Sequence, residues 1–259
     1  MTETIEPIVT SSDNNNNREG NNRGTLFLIP TNLSTPFSLG IILPATVIAT
    51  IHRLDYYIAE NAKNTRAFLV AAGVSRPIAS IHIAELDKHA KNASVGSVDS
   101  LLAPLLNGHD VGLVSDAGAP GVADPGANIA AAAHRRGIVV RPQVGPSSIL
   151  LGLMASGLNG QTFAFQGYLA QEKLARIAAI KTLERESKQK NMTQLFIETP
   201  YRNQVMIQDL LASLSPGTRL CIASDLTGEK EFIQTKTIAA WRQSHIALER
   251  LPTLFLFLA

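Results

Sequence analysis

The sequence predicts an α/β protein built from two domains, and three observations support this fold class. From residue 24 onward, short apolar runs typical of β-strands alternate with longer helical patterns, the order expected for a parallel sheet covered by helices. The chain has 259 residues, which is enough for two domains of about 100–130 residues each. A stretch with Pro and Gly at 141–146 suits a crossing between domains. We therefore expect an N-terminal domain over residues 24–142 and a C-terminal domain over residues 143–259.

The first block predicts strands separated by helices. The predicted strands are Thr25–Ile29, Tyr56–Ala59, Ala79–His82, Val111–Val114 and Ile138–Arg141. The predicted helices are Pro44–Ile51, Thr65–Ala72, Ser97–Leu106 and Asn128–Arg136. Gly73, Gly108 and Gly137 each follow a helical pattern, where glycine permits the left-handed backbone that ends a helix. This strand–helix order predicts a parallel α/β domain.

The second block begins with a helix that Ser147 and Ser148 are expected to cap and Gly157 to end. The predicted strands are Thr162–Gln166, Thr193–Glu198, Arg219–Ser224, Glu231–Lys236 and Thr253–Leu258. The predicted helices are Glu172–Lys188, Arg202–Leu214 and Ile238–Gln243. Hairpin-like spacing around Thr227-Gly228 predicts a mixed sheet in this domain.

Composition narrows the class of protein. Apolar residues make up 45% of the chain and charged residues 17%, as in a well-buried globular protein. The net charge of +2 permits an RNA partner without requiring one. The lone Cys221 lies in an apolar run and is expected to be a buried packing residue in a reducing, cytoplasmic compartment. No apolar run is long enough to span a membrane, the N-terminus does not resemble a signal peptide, and the Asn-rich residues 1–23 are expected to form a flexible polar tail.

The most informative segment follows the predicted strand Val111–Val114. It reads Ser115-Asp116-Ala117-Gly118-Ala119-Pro120 and continues to Asp124-Pro125-Gly126. Ligands of open α/β sheets bind where parallel strands end, and glycines let the backbone approach a ligand closely. The segment lacks the glycine pattern of a dinucleotide fold and the lysine of a phosphate-binding loop. The segment is therefore predicted to bind a ligand that carries no phosphate group. The alternative is that it has a purely structural role as a well-made turn and helix cap.

At these residues the chain resembles the tetrapyrrole methylase superfamily, and within it the ribosomal RNA small subunit methyltransferase I branch. The string S-D-A-G-x-P-x-x-x-D-P-G of that branch is matched in full from Ser115 to Gly126. Further similarities are Val144-Gly145-Pro146-Ser147-Ser148 to P-G-P-S-A, Phe163 to Leu169 to F-x-F-x-G-F-L, and Phe196-Ile197-Glu198-Thr199-Pro200-Tyr201-Arg202 to F-Y-E-S-P-H-R. Ala223-Ser224-Asp225-Leu226-Thr227 is similar to A-R-E-L-T. The matches run in the same order over roughly residues 25–245.

The resemblance implies two α/β domains, a homodimer, and S-adenosylmethionine bound in the cleft between the domains. It implies cofactor contacts at Pro30, Asp116, Ala117, Gly118, Ser147, Ser148, Ile197, Asp225, Leu226 and Thr227. The implied reaction is methylation of an rRNA ribose 2′-hydroxyl in the small ribosomal subunit, and no metal is required for it. Two alternatives are a small-molecule methylase of the tetrapyrrole type and a relative that binds S-adenosylmethionine or RNA without catalysis.

A weakly acidic hydroxyl needs help to lose its proton, so carboxylates near strand exits are the candidate catalytic residues. These are Glu60, after the second strand, Glu85, after the third, and Glu198, before Pro200. Glu60 has an equally plausible role as a carboxylate at the N-terminus of the helix that follows it. His82 is a further candidate at the exit of the third strand, although a packed or capping histidine is the more common case.

Two sets of cations are candidates for ligand contacts. Arg202 lies at a helix start, where a cation is unfavourable, and is therefore a candidate for pairing with a phosphate or a cofactor carboxylate. The predicted helix Glu172–Lys188 and the residues just after it carry a basic bias from Lys173, Arg176, Lys181, Arg185, Lys188 and Lys190. Interleaved glutamates make an ordinary solvated face the more common explanation.

The segments Pro30–Phe37 and Glu60–Arg66 depart from the P-T-P-I-G-N-L-G-D and A-E-D-T-R patterns of the branch. Because these loops would line the acceptor side of the cleft, the sequence predicts the cofactor more directly than the acceptor.

Overall fold

The structure is a computed structural model, and it describes residues 23–34, 39–86, 95–244 and 246–259. The tail expected over residues 1–23 lies outside the described residues, apart from Arg23. Within the described ranges the strands form two five-stranded sheets, in agreement with the predicted α/β class.

The first sheet has the strand order β3-β2-β4-β1-β5, and all of its pairings are parallel. Its strands are β1 (Thr25–Ile29), β2 (Tyr56–Ala59), β3 (His82–Glu85), β4 (Val111–Val114) and β5 (Val139–Pro142). The helices between them are α1 (Leu39–Ile42), α2 (Ala45–Arg53), α3 (Ala62–Ala71), α4 (Val95–Leu106) and α5 (Gly126–Arg135). Because every strand runs the same way, the carboxyl ends of β1, β2 and β4 meet at one edge, where a ligand is expected.

Helices cover both faces of this sheet, and the side chains of its strands alternate between the two resulting cores. Phe27 and Ile29 pack with α2 and α3, whereas Leu26 and Leu113 pack with α4 and α5. The helix-ending glycines Gly73, Gly108 and Gly137 have positive φ angles of 75°, 89° and 64°, as predicted.

The second sheet is mixed, as predicted, with the order β6-β7-β10-β8-β9 and a parallel pairing between β6 and β7. Its strands are β6 (Phe163–Tyr168), β7 (Thr193–Glu198), β8 (Arg219–Ser224), β9 (Phe232–Thr237) and β10 (Thr253–Leu258). Its helices are α6 (Ser148–Ser156), α7 (Lys173–Lys190), α8 (Asn203–Ser213) and α9 (Ile238–Arg242). The chain-terminal strand β10 is the central strand of this sheet.

Helices α7, α8 and α9 pack on one face of the second sheet around Phe196, Phe255 and Trp241. Helix α6 packs on the other face at Leu195, Cys221 and Leu254. Cys221 is fully buried, as predicted, and burial raises the pKa of its thiol. None of the described helices is long and apolar enough to cross a membrane.

Two sequence-based placements were wrong. The third strand begins at His82, three residues later than predicted, because Ile78–Ser80 forms a 3₁₀ turn after Pro77. His82 therefore lies at the start of β3, at the opposite edge from the strand exits, where its ring stacks on Tyr56 with centroids 5.0 Å apart.

Arg176 is the second misplaced residue, because it does not belong to an exposed basic face of α7. Its side chain is buried and donates two hydrogen bonds to the Asp209 carboxylate, from Nε at 2.7 Å and from Nη2 at 2.5 Å. Its remaining donors reach the carbonyl oxygens of Ala170 and Gln171. Arg176 thus fastens α7 to α8 and to the turn after β6.

Candidate active site

A cavity of about 390 Å³ lies between the loop after β4 and the second sheet. The carboxyl ends of β7 and β8 and the amino end of β10 form its other wall, so both sheets contribute. Its volume is within the range of roughly 300–1,000 Å³ found for small-molecule sites. The lining residues are Leu33, Glu60, Asp116–Ala119, Val122–Asp124, Ser147–Ile149, Phe165, Tyr168, Ile197–Pro200, Ala223, Leu226 and Pro252–Leu254.

The loop from Ser115 to Gly126 is held in shape by backbone contacts. Gly118 has a φ of 72° and exchanges two backbone hydrogen bonds with Thr31, at the exit of β1. A Cβ at Gly118 would lie 3.0 Å from the Leu33 side chain. Glycine is therefore favoured here by both its conformation and its size.

Asp124 closes the same loop and is one of the residues that line the cavity. Its Oδ1 accepts hydrogen bonds from the N–H groups of Gly121 and Gly126, at 2.8 and 2.6 Å. Its Oδ2 is buried and has no hydrogen-bond partner among the described residues. Burial raises the pKa of this carboxyl, and the two backbone donors oppose the rise. A buried acceptor without a partner beside a cavity is well suited to a ligand that donates a hydrogen bond.

Glu60 lines the cavity and is positioned by the loop. Its Oε2 accepts a 2.8 Å hydrogen bond from the backbone N–H of Asp116. The Asp116 side chain in turn accepts a 3.0 Å hydrogen bond from Asn64, in the first turn of α3. The exit of β2, the start of α3 and the loop after β4 are therefore linked at this corner of the cavity.

The N-terminus of α3 is capped by residues other than Glu60. Asn61 accepts from the N–H groups of Lys63 and Asn64, and Glu85 accepts from the N–H of Ala62 at 2.6 Å. Glu85, one of the candidate catalytic residues, does not line the cavity. Glu85 and Asn61 thus make the hydrogen bonds to the N-terminus of α3, whereas the hydrogen bond of Glu60 goes to Asp116.

Glu198 also lines the cavity, but it is buried and engaged in an ion pair. Its Oε2 lies 2.8 Å from Nη2 of Arg202, close enough for an ion pair although the geometry is not that of a hydrogen bond, and its Oε1 accepts from the backbone N–H of Thr199. Arg202 was a candidate for pairing with a phosphate or a cofactor carboxylate, and in the structure it pairs with the Glu198 carboxylate. The pair fixes the turn after β7 at the cavity wall.

The expected cofactor contacts divide into two groups. The cavity lining includes Asp116, Ala117, Gly118, Ser147, Ser148, Ile197 and Leu226. Pro30, Asp225 and Thr227 lie outside the lining. Asp225 is buried, accepts from the Ser34 hydroxyl and the backbone N–H of Lys230, and so connects the exit of β1 to the β8–β9 turn. Pro30 packs against Gly145, since a Cβ added at Gly145 would lie 2.5 Å from the Cβ of Pro30.

Several lining residues were not among the predicted site residues. Phe165, Tyr168, Val122 and the segment Pro252–Leu254 all belong to the cavity wall. Thr253 and Leu254 pair with Ser224 and Ala223 of β8. Their place in the cavity wall depends on this register, and no local motif predicts it. Phe165 and Tyr168 lie in a strand that carries part of the family resemblance, and this resemblance is the sequence feature that could have identified them as site residues. The described residues contain no cluster of His, Cys, Asp and Glu able to hold a metal ion.

Comparison with known proteins identifies relatives that match most of the chain. The ribosomal RNA small subunit methyltransferase I of Synechocystis sp. is 31% identical over 204 residues, which cover 79% of this chain and 67% of the relative. The chain belongs to the ribosomal RNA small subunit methyltransferase I family. The member from Escherichia coli O157:H7 is 28% identical over 213 residues, covering 82% of this chain and 69% of that protein. This membership makes the chain a methyltransferase. A search against protein-family models gave no match.

Solved structures support the fold of this family member. The uroporphyrin-III-C-methyltransferase from Thermus thermophilus aligns with a TM-score of 0.51 and 15% identity, over 91% of this chain and 92% of that one. The methyltransferase CobJ aligns with a TM-score of 0.59 and 15% identity, over 91% and 94% of the two chains. At this identity the likeness shows the tetrapyrrole methylase fold and not the substrate.

Proposed function

We propose that this chain uses S-adenosylmethionine to methylate a ribose 2′-hydroxyl of small-subunit ribosomal RNA. One observation supports this most directly: the loop Ser115–Gly126, which matches the family string in full, forms a wall of the cavity between the two sheets. The relatives are ribosomal RNA small subunit methyltransferases, which supports small-subunit ribosomal RNA as the class of acceptor. S-adenosylmethionine supplies an electrophilic methyl group when it is bound.

The residues of the cavity fit this cofactor. S-adenosylmethionine carries an amine, hydroxyls and a sulfonium but no phosphate, and this wall offers carboxylates and backbone carbonyls in place of a phosphate-binding loop. The buried Oδ2 of Asp124 lacks a hydrogen-bond donor among the described residues. We assign the cofactor contacts to Asp116, Ala117, Gly118, Ser147, Ser148, Ile197 and Leu226, and give Pro30, Asp225 and Thr227 the role of supporting those loops.

Glu60 is the residue to which we assign removal of the proton from the acceptor hydroxyl. The Asp116 N–H holds one carboxylate oxygen, and Oε1 forms no hydrogen bond within the described part of the chain. A carboxylate oriented in this way can accept a proton from a hydroxyl placed within hydrogen-bond reach. Glu85 is occupied by α3 and Glu198 by Arg202, so we assign them positioning roles.

We also propose that the protein is a homodimer and that helix α6 contributes to its interface. Leu150 and Met154 lie one turn apart on this helix and are 54% and 79% exposed. Residues at this spacing share a helix face, and an exposed apolar face commonly marks an interaction surface. The opposite face of α6 packs on the second sheet.

Methyl transfer from labelled S-adenosylmethionine to isolated small ribosomal subunits tests the proposal. The subunits should come from cells that lack the protein, so that the acceptor site is unmodified. We expect label in RNA that resists alkaline cleavage at the modified nucleotide, because a 2′-O-methyl group blocks attack by that oxygen. Label in small molecules alone, or none in RNA, contradicts the proposed acceptor.

A further inference from the structure

An exposed aromatic side chain lies at the rim of the cavity. Tyr201 occupies the middle of the 3₁₀ turn Pro200–Arg202 that follows β7, and it is 78% exposed. Its neighbour Pro200 lines the cavity. The ring therefore projects from a turn that the Glu198–Arg202 ion pair fixes, and it contributes little to the packed core. The similar family string has histidine at this position.

A cation lies over this ring. The guanidinium carbon of Arg250 is 5.5 Å from the centroid of the Tyr201 ring, within the distance of a cation–π contact. Arg250 precedes β10 by three residues, and Pro252 between them lines the cavity. Within the described part of the chain, Arg250 forms no ion pair, whereas its neighbour Glu249 pairs with Lys230. Two separate segments thus bring an aromatic ring and an arginine to the same edge of the cavity.

We propose that Tyr201 and Arg250 form a stacking platform for an unpaired RNA base next to the nucleotide whose ribose enters the cavity. This rests on the proposed RNA methyl transfer. Proteins that bind single-stranded RNA stack its bases on aromatic rings and guanidinium planes, and Arg also meets the phosphate backbone. A protein partner would more commonly cover an apolar patch of several residues than one ring paired with a cation.

The platform orients the acceptor without touching the transferred methyl group, so it should affect KM for RNA and not the affinity for the cofactor. Tyr201→Ala should raise KM for small ribosomal subunits about tenfold, the scale of one lost stacking contact. Tyr201→Phe should stay within about twofold of the wild type, because stacking needs the ring and not the hydroxyl. Arg250→Ala should raise KM and weaken its dependence on salt, since one cation near the phosphates is lost.

Arg219→Ala is the matched control, because Arg219 lies at the far end of β8 from the cavity and is also exposed. It should leave KM unchanged. A fluorescent single-stranded RNA and a duplex of the same sequence provide a binding assay that does not depend on methyl transfer. Tyr201→Ala should weaken binding of the single strand and spare the duplex.

An unchanged KM and unchanged single-strand affinity for Tyr201→Ala would overturn the platform. An equal rise in KM for Tyr201→Phe would also overturn it, because the hydroxyl would then be the important group. A loss of S-adenosylmethionine affinity in Tyr201→Ala would overturn it as well, because Tyr201 would then shape the cavity. Failure of the proposed function is distinguishable, because the wild-type protein itself would then transfer no methyl group to the subunits.

Discussion

Glu60 accepts a 2.8 Å hydrogen bond from the backbone N–H of Asp116 and so joins the exit of β2 to the loop after β4. The bond positions the Glu60 carboxylate at the cavity wall and leaves its other oxygen available to a hydroxyl group that donates a hydrogen bond. The N–H groups at the start of α3 are capped by Asn61 and Glu85 and not by Glu60.

Replacing Glu60 with glutamine tests its assignment as the proton acceptor. Gln keeps an oxygen that accepts from Asp116, but it cannot accept a proton at neutral pH. We expect S-adenosylmethionine affinity within about twofold of the wild type and a methyl-transfer rate about a hundredfold lower. Single-turnover transfer and calorimetry measure the two quantities. An unchanged rate would make Glu60 a structural residue.

Asp124→Asn separates loop stability from ligand binding. The Asn oxygen can still accept from Gly121 and Gly126, while the partly desolvated charge is removed. Because the pKa of Asp124 is raised in the folded protein, ionisation disfavours the folded state as pH rises from the ordinary aspartate range through the raised pKa.

Relative to the wild type, the thermal midpoint of Asp124→Asn should therefore improve as pH rises from about 3 to neutrality. Its affinity for S-adenosylmethionine should fall, because an amide nitrogen in the place of the partnerless Oδ2 cannot accept a hydrogen bond from the ligand. A variant that loses stability relative to the wild type as pH rises would contradict this account.

The buried pair of Arg176 and Asp209 predicts a large effect on stability. Arg176→Met leaves the Asp209 carboxylate and the Gln171 carbonyl without donors, and it should lower the free energy of unfolding by about 3–5 kcal/mol. Lys190→Ala removes the exposed pair with Glu186 and should cost less than about 1 kcal/mol. Chemical denaturation of both variants measures the difference. Equal, small losses would show that the buried pair contributes little.

The proposed dimer predicts that a charge on the exposed face of α6 will dissociate it. Met154→Asp should shift the mass measured by light scattering from a dimer toward a monomer, because it places a charge in an apolar interface. Val70→Asp, on the exposed face of α3 where Val70 is 62% exposed, is the control and should leave the mass unchanged. A dimer that survives Met154→Asp would place the interface elsewhere.

Apart from the third strand, the strands could be predicted from the sequence, as could the helix-ending glycines and the cavity loop, because each depends on local physics. Apolar runs such as Val111–Val114 indicate buried strands, and the left-handed conformation of Gly137 follows from its place after a helix. The loop after β4 combines its glycines and aspartates within one short segment, so the motif and the site coincide.

Other features depend on contacts between distant segments. The capping role of Glu85 arises because β2 and β3 pair in a register that brings it to Ala62. The inward side chain of Arg176 depends on Asp209, which lies on another helix. Thr253 reaches the cavity because β10 is the central strand of its sheet. Neither periodicity nor residue type carries this information.

Calorimetric titration with S-adenosylmethionine tests the central claim most directly, when wild type, Gly118→Val and Gly160→Val are compared. Gly118 requires a positive φ and lies against Leu33, whereas a Cβ at Gly160 would meet no atom within 4 Å. We predict binding by the wild type and by Gly160→Val, and an affinity at least about tenfold lower for Gly118→Val. Absence of binding by the wild type at high micromolar cofactor, or equal affinity in all three proteins, would contradict a cofactor site at this loop.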